Sequence, residues 1–104
     1  MIRSKDEAQK ILISSHKGIS RVFFVEKRQS ENHGSYYRFI TWHKGDRPDF
    51  ALIGSVFEET GFVGISSAPL TDDKDCPLSN YYKELLGMTL EEMYEAATRR
   101  EKAA

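Results

Sequence analysis

The chain has 104 residues, 15 Lys/Arg against 16 Asp/Glu, and a formal net charge of −1, which is the length of one domain able to bury a single core. With 39 % hydrophobic and 30 % charged residues it falls among globular rather than disordered chains. Its one cysteine, Cys76, excludes an intramolecular disulfide and a Cys-rich zinc module, and no apolar run reaches the ~18 residues of a membrane-spanning helix. Residues 1–10 are polar and helix-like, unlike a signal peptide, so the expectation is a cytoplasmic protein without membrane contact. Residues 1–50 carry ten Lys/Arg against six Asp/Glu, and residues 51–104 five against ten. Either the surface is bipolar, or the two halves of the chain lie side by side and the asymmetry averages out.

Ser4-Lys5-Asp6-Glu7 fits a capping box and predicts a first helix over 5–16. Ala8, Ile11, Leu12 and Ser15 share its inner face, and Gly18 suits a left-handed C-terminal position. Four strands follow. Residues 19–27 (ISRVFFVEK) are β-branched and aromatic, and 28–34 form a polar turn. Residues 35–43 (SYYRFITWH) make the second strand, Gly45-Asp46 a turn, and 49–58 (DFALIGSVFE) the third strand. Glu59-Thr60-Gly61 suits a type I turn with a glycine bulge before a fourth strand over 62–67. Connections this short predict an antiparallel meander. A loop over 68–78 carries Pro69 and Pro77, and Ser79 is expected to cap a short helix that ends at Gly87. Thr89-Leu90-Glu91-Glu92 is a second capping box. The last helix then shows an apolar stripe of Leu90, Met93, Tyr94 and Ala97, with Arg99, Arg100 and Lys102 near its end. The fold class is therefore α+β: a four-stranded antiparallel meander with one N-terminal and two C-terminal helices, in a single domain over 1–104.

The strands do not alternate cleanly between apolar and polar residues, as a half-solvated sheet would. In the second strand Tyr36, Arg38, Ile40 and Trp42 oppose Tyr37, Phe39, Thr41 and His43. Strict alternation in the first puts Ile19, Arg21, Phe23, Val25 and Lys27 on one face. In the third, Leu52, Gly54 and Val56 oppose Ala51, Ile53, Ser55 and Phe57. Three arrangements fit: helices on both faces, a sheet curled into a partial barrel around one set, or one aromatic face left for a partner.

No motif of catalysis or cofactor binding stands out. His16, His33 and His43 lack metal-ligand spacing. His43 with Asp46 could orient a general base, but His-Lys-Gly-Asp is also an ordinary hairpin turn. Cys76 follows Asp72, Asp73 and Asp75, which should raise its pKa, and Pro77 argues against a helix N-terminus there, so an unreactive thiol is expected. The Asp72–Asp75 run lacks the glycine and spacing of a calcium loop, and no glycine-rich phosphate cradle is present. No cofactor or metal is expected.

A basic and aromatic set does exist in Arg21, Lys27, Arg28, Tyr36, Arg38, Trp42, Lys44 and Arg47. These residue types bind protein hot spots or single-stranded nucleic acid. Against nucleic acid stand the near-neutral charge, the missing RNP-type run, and Glu91 and Glu92 opening the last helix where a double-stranded RNA binder carries lysines. The expected function is a small non-enzymatic protein-binding module, a regulator, inhibitor or adaptor; small inhibitors carried by phages and mobile elements are of this size. Its partner-binding residues are expected to be Tyr36, Arg38, Trp42 and Arg21. The alternatives are a nucleic-acid binder on the same face, a small enzyme using His43, and a homodimer burying the second sheet face.

Overall fold

The computed structural model describes residues 1–100. Its elements run α1 (Lys5–Ser15), β1 (Ile19–Ser30), β2 (Gly34–His43), β3 (Phe50–Phe57), β4 (Val63–Ile65), β5 (Leu70–Thr71), α2 (Pro77–Leu86), α3 (Leu90–Ala96) and β6 (Thr98–Arg99). The strands form one antiparallel sheet in the order β4-β3-β2-β1-β6, with β5 pairing the start of β3. The expected meander of four strands and three helices is present, and two two-residue strands add to it. One of them, β5, lies inside the stretch expected to be loop. The other, β6, takes Thr98 and Arg99 off the end of the last helix and pairs them with Val22 and Arg21. Lys102, expected near that helix end, lies outside the described residues.

Local chemistry explains the helix limits. Ser4 Oγ accepts from the Glu7 amide at 3.2 Å, but Glu7 reaches back to the Arg3 amide at 2.7 Å rather than to Ser4, so the first box closes one residue early. The Thr89 box is complete: Thr89 Oγ1 accepts from the Glu92 amide, and Glu92 accepts from the Thr89 amide, both at 3.1 Å. The middle helix begins at Pro77 with Cys76 as its N-cap, earlier than expected. Proline at the first helical position loses nothing, since that amide has no partner in a helix. Ser79, the expected cap, is buried inside the helix and its Oγ has no hydrogen-bond partner. Gly18 is not left-handed; its role is a close approach, since a Cβ there would stand 3.0 Å from His43 Cδ2. The exposed carbonyls at the end of α1, those of Ile13 and Lys17, accept from the Arg100 guanidinium instead.

Helices pack on both sheet faces. On one, α1 packs Ala8 and Leu12 against Ile19, Val22, Tyr37, Phe39 and Val56. Gly54 permits this approach, because a Cβ there would come 3.3 Å from Leu12 Cδ2 and 3.2 Å from Thr41 Cγ2. On the other face, Tyr82 of α2 and Leu90 and Met93 of α3 close over Ile40, Trp42, Ala51 and Ile53. The two-sided core is thus the arrangement adopted.

Strict alternation holds in β2 and β3 but not in β1. Register shifts between Ile19 and Arg21 and between Phe24 and Glu26 mark two bulges. Each leaves one residue unpaired and turns the following side chains over. As a result Ile19 joins the α1 face, Lys27 sits opposite Tyr37, and Glu26 opposite Arg38.

Candidate functional site

The face under α2 and α3 is only partly closed. Beyond Ile40 and Ile53, β2 and β3 continue with Arg38 and Tyr36, and with Ser55 and Phe57. These line an open cleft of about 590 Å³, with Gly64 and Ser66 from the β4 side and Leu78 of α2 at its edge. The pairing explains its shape. Arg38 lies opposite Ser55, and Ser55 opposite Gly64. One row across the sheet therefore runs from a long cation to a hydroxymethyl to a bare backbone, and the floor is low where the side chains are small. The next row is aromatic. Tyr36 lies opposite Phe57 with ring centroids 5.3 Å apart. Phe62, whose carbonyl accepts from the Phe57 amide, lies tilted against Phe57 with centroids 6.1 Å apart and lines the adjoining hollow rather than the cleft itself. Phe62 is 65 % exposed, an unusual state for phenylalanine in a small domain.

Arg38 ties the cleft to the core under α2. Its Nη1 donates to Tyr82 Oη at 2.7 Å and its Nη2 to Tyr36 Oη at 3.3 Å. Its Nε is buried and has no hydrogen-bond partner. Burial pushes the Tyr82 phenol above its usual range, with the Arg38 hydrogen bond pulling the other way, so at neutral pH Tyr82 is uncharged and leaves the guanidinium charge in place. Across the strand, Glu26 Oε1 lies 3.9 Å from Arg28 Nε.

The four residues expected to bind a partner part company here. Tyr36 and Arg38 line the cleft together. Trp42 does not belong with them: it is 0 % exposed, its Nε1 donates to the Pro48 carbonyl at 3.2 Å, and Tyr94 packs on it edge-on. A side chain with no surface cannot anchor a partner, so its role is corrected to core. Arg21 is tied down as well. Its guanidinium lies 3.8 Å from the Tyr94 ring centroid and donates to the Tyr94 carbonyl at 2.8 Å, in the last turn of α3. It satisfies a helix end. Other members of the basic set are paired: Lys27 with Glu58 at 3.0 Å, which raises the Lys27 pKa, and Arg47 with Asp49 at 3.2 Å. Phe57 in the cleft, and Phe62 beside it, are the residues that reading the strands singly misses. The signal was available, because a hairpin turning at Gly61 sets Phe62 beside Phe57.

Two further expectations meet their geometry here. Asp46 Oδ2 accepts from the His43 backbone amide at 2.8 Å, while His43 Nδ1 lies 4.0 Å away with no hydrogen-bond partner. Asp46 therefore closes the turn and does not orient the imidazole. The Cys76 pKa is lowered, not raised as expected. A backbone hydrogen bond from Thr71 is the main cause, and it outweighs burial and Asp73. Among the described residues no group of three His, Cys, Asp or Glu is placed to hold a metal ion, and no helix is long and apolar enough to cross a membrane. Comparison of the chain with protein-family models, curated proteins and solved structures finds no match.

Proposed function

We propose that this chain is a small non-enzymatic protein-binding module, a regulator, inhibitor or adaptor, whose partner docks in the cleft between Arg38 and Phe62. One observation carries the reading: a fold with helices on both faces of its sheet leaves open a cleft lined by Tyr36, Arg38 and Phe57, with the exposed Phe62 ring beside Phe57. Aromatic and arginine side chains dominate binding energy at protein interfaces, since each joins a large contact area to directional polar or π chemistry. The wider basic set offers little continuous track for phosphates, because Arg21, Lys27 and Arg47 are engaged within the fold.

The test is affinity capture from host extract with the wild-type chain, Phe62→Ser and Arg38→Gln as matched baits, with and without nuclease. The expected result is a protein retained by the wild type after nuclease treatment and lost from both variants while they stay folded. Capture that collapses with nuclease and falls steeply with salt would replace this reading with nucleic-acid binding.

A further inference from the structure

We propose that the cleft takes one acidic side chain from a loop of the protein partner, whose carboxylate meets Arg38 while its stem lies over Ser55 and Gly64. This rests on the cleft being the docking site for a protein. Charge decides the chemistry. Arg38 is the one Lys, Arg, His, Asp or Glu side chain among those that line the cleft. Among the described residues no carboxylate forms an ion pair with it; Glu26, its partner across the strands, lies 3.9 Å from Arg28 through Oε1 and keeps Oε2 buried without a hydrogen-bond partner. Burial keeps the phenol of Tyr82, which accepts from Nη1, uncharged at neutral pH, so it does not offset the Arg38 charge. A guanidinium has five N–H donors. The two phenols take two of them, and the Nε–H is buried with no acceptor. A half-buried cation with unspent donors favours an anion that accepts two parallel hydrogen bonds.

Shape supports a side chain rather than a bare ion. The row beside Arg38 carries only the small Ser55 and Gly64, flanked along β3 by Ile53 and Phe57, which also line the open cleft. Those apolar neighbours suit the methylene stem of a glutamate or aspartate with its carboxylate at Arg38. Tyr36 and Tyr82 pre-position the guanidinium, so little rotamer freedom remains to be lost when the partner arrives.

The test selects peptides from a displayed library of random dodecapeptides on the wild-type chain. The selected peptides are then measured against Ser55→Phe, which fills the cleft floor, and Arg38→Gln. The expected result is peptides that share an Asp or Glu and fail on Ser55→Phe. Changing that residue to its amide and changing Arg38 to Gln should each weaken binding about tenfold or more, and together no further than either alone. If Arg38→Gln does not fold, Arg38→Lys serves: it keeps the charge but not the fork, and should weaken binding severalfold. Peptides that fail on Ser55→Phe but ignore Arg38, or carry no acidic residue, would overturn this proposal and leave the cleft as the docking site. Peptides that tolerate Ser55→Phe, or no enrichment at all, would overturn both. A dimer of this chain, or a bound single-stranded oligonucleotide, that Ser55→Phe releases would overturn it too, since the occupant would then be a second copy or a nucleic acid.

Discussion

The two halves of one sheet face make opposite use of the same strands. Trp42 and Ile40 on β2, and Ala51 and Ile53 on β3, are sealed under Tyr82, Leu90 and Met93. Arg38 and Tyr36, with Ser55 and Phe57, follow on the same strands and stay open. Length explains the division. The ten residues of β2 extend ~33 Å at strand rise. The ten of α2 and seven of α3 are only ~15 Å and ~10 Å long at helical rise. The helices cannot reach the far end of the sheet. Where they stop, apolar side chains give way to hydroxyls, a guanidinium and aromatic rings. Tyr82 belongs to both halves, its ring in the core and its hydroxyl on Arg38.

The sharpest way to break this contrast is Trp42→Ala. In the sealed half it should cost about 3–5 kcal/mol of stability, read by urea denaturation. A loss under ~1 kcal/mol would mean that the helices do not close over Trp42. Next is Tyr82→Phe, at the boundary. It keeps the ring and removes the acceptor of a charged donor, and should cost about 1–3 kcal/mol. The same residue has a pH signature. Its phenol is raised in the folded state, so its contribution is whole below the unfolded value near ~10 and is lost as pH climbs through the folded one. Ultraviolet titration should show a tyrosinate step above the usual range that Tyr82→Phe removes. A smaller effect is expected from Thr89→Ala, which uncaps α3 over the sealed half: about 0.5–2 kcal/mol by thermal unfolding, and no change would mean that α3 is held by packing alone. The smallest is Phe62→Ser in the open half. Stability should stay within ~0.5 kcal/mol while partner capture is lost, and a larger drop would mean that the ring is structural.

Much of this contrast is legible in the sequence, and what is not has identifiable causes. Alternation assigns the faces of β2 and β3 correctly because neither strand carries a bulge in its pairing. It fails in β1 because two bulges intervene, and no glycine or proline marks them. The pairing of Tyr36 with Arg38 follows from their spacing of two. Trp42 has that spacing too; only the reach of α2 and α3 decides that it is covered. Pro77 starts α2 rather than arguing against a helix there, because proline suits the first helical position, and Ser79 two residues on is the stronger cap by residue type and hides that start. The strand β6 has only two residues and no local signature, because its partner lies in β1, some 77 positions earlier.

That last pairing has a consequence for synthesis. Thr98 and Arg99 cover the edge of β1 at Val22 and Arg21, and Arg100 binds carbonyls at the end of α1 as well as the Ser20 carbonyl. A nascent chain emerging from the ribosome can assemble α1 and the β1–β3 meander early, as local contacts allow. It does so with the edge at Arg21 and Val22 bare and the end of α1 unsatisfied, until residues 98–100 follow. A ribosome stalled before Thr98 would hold a sheet with a sticky margin, exposed to chaperones and to neighbouring nascent chains.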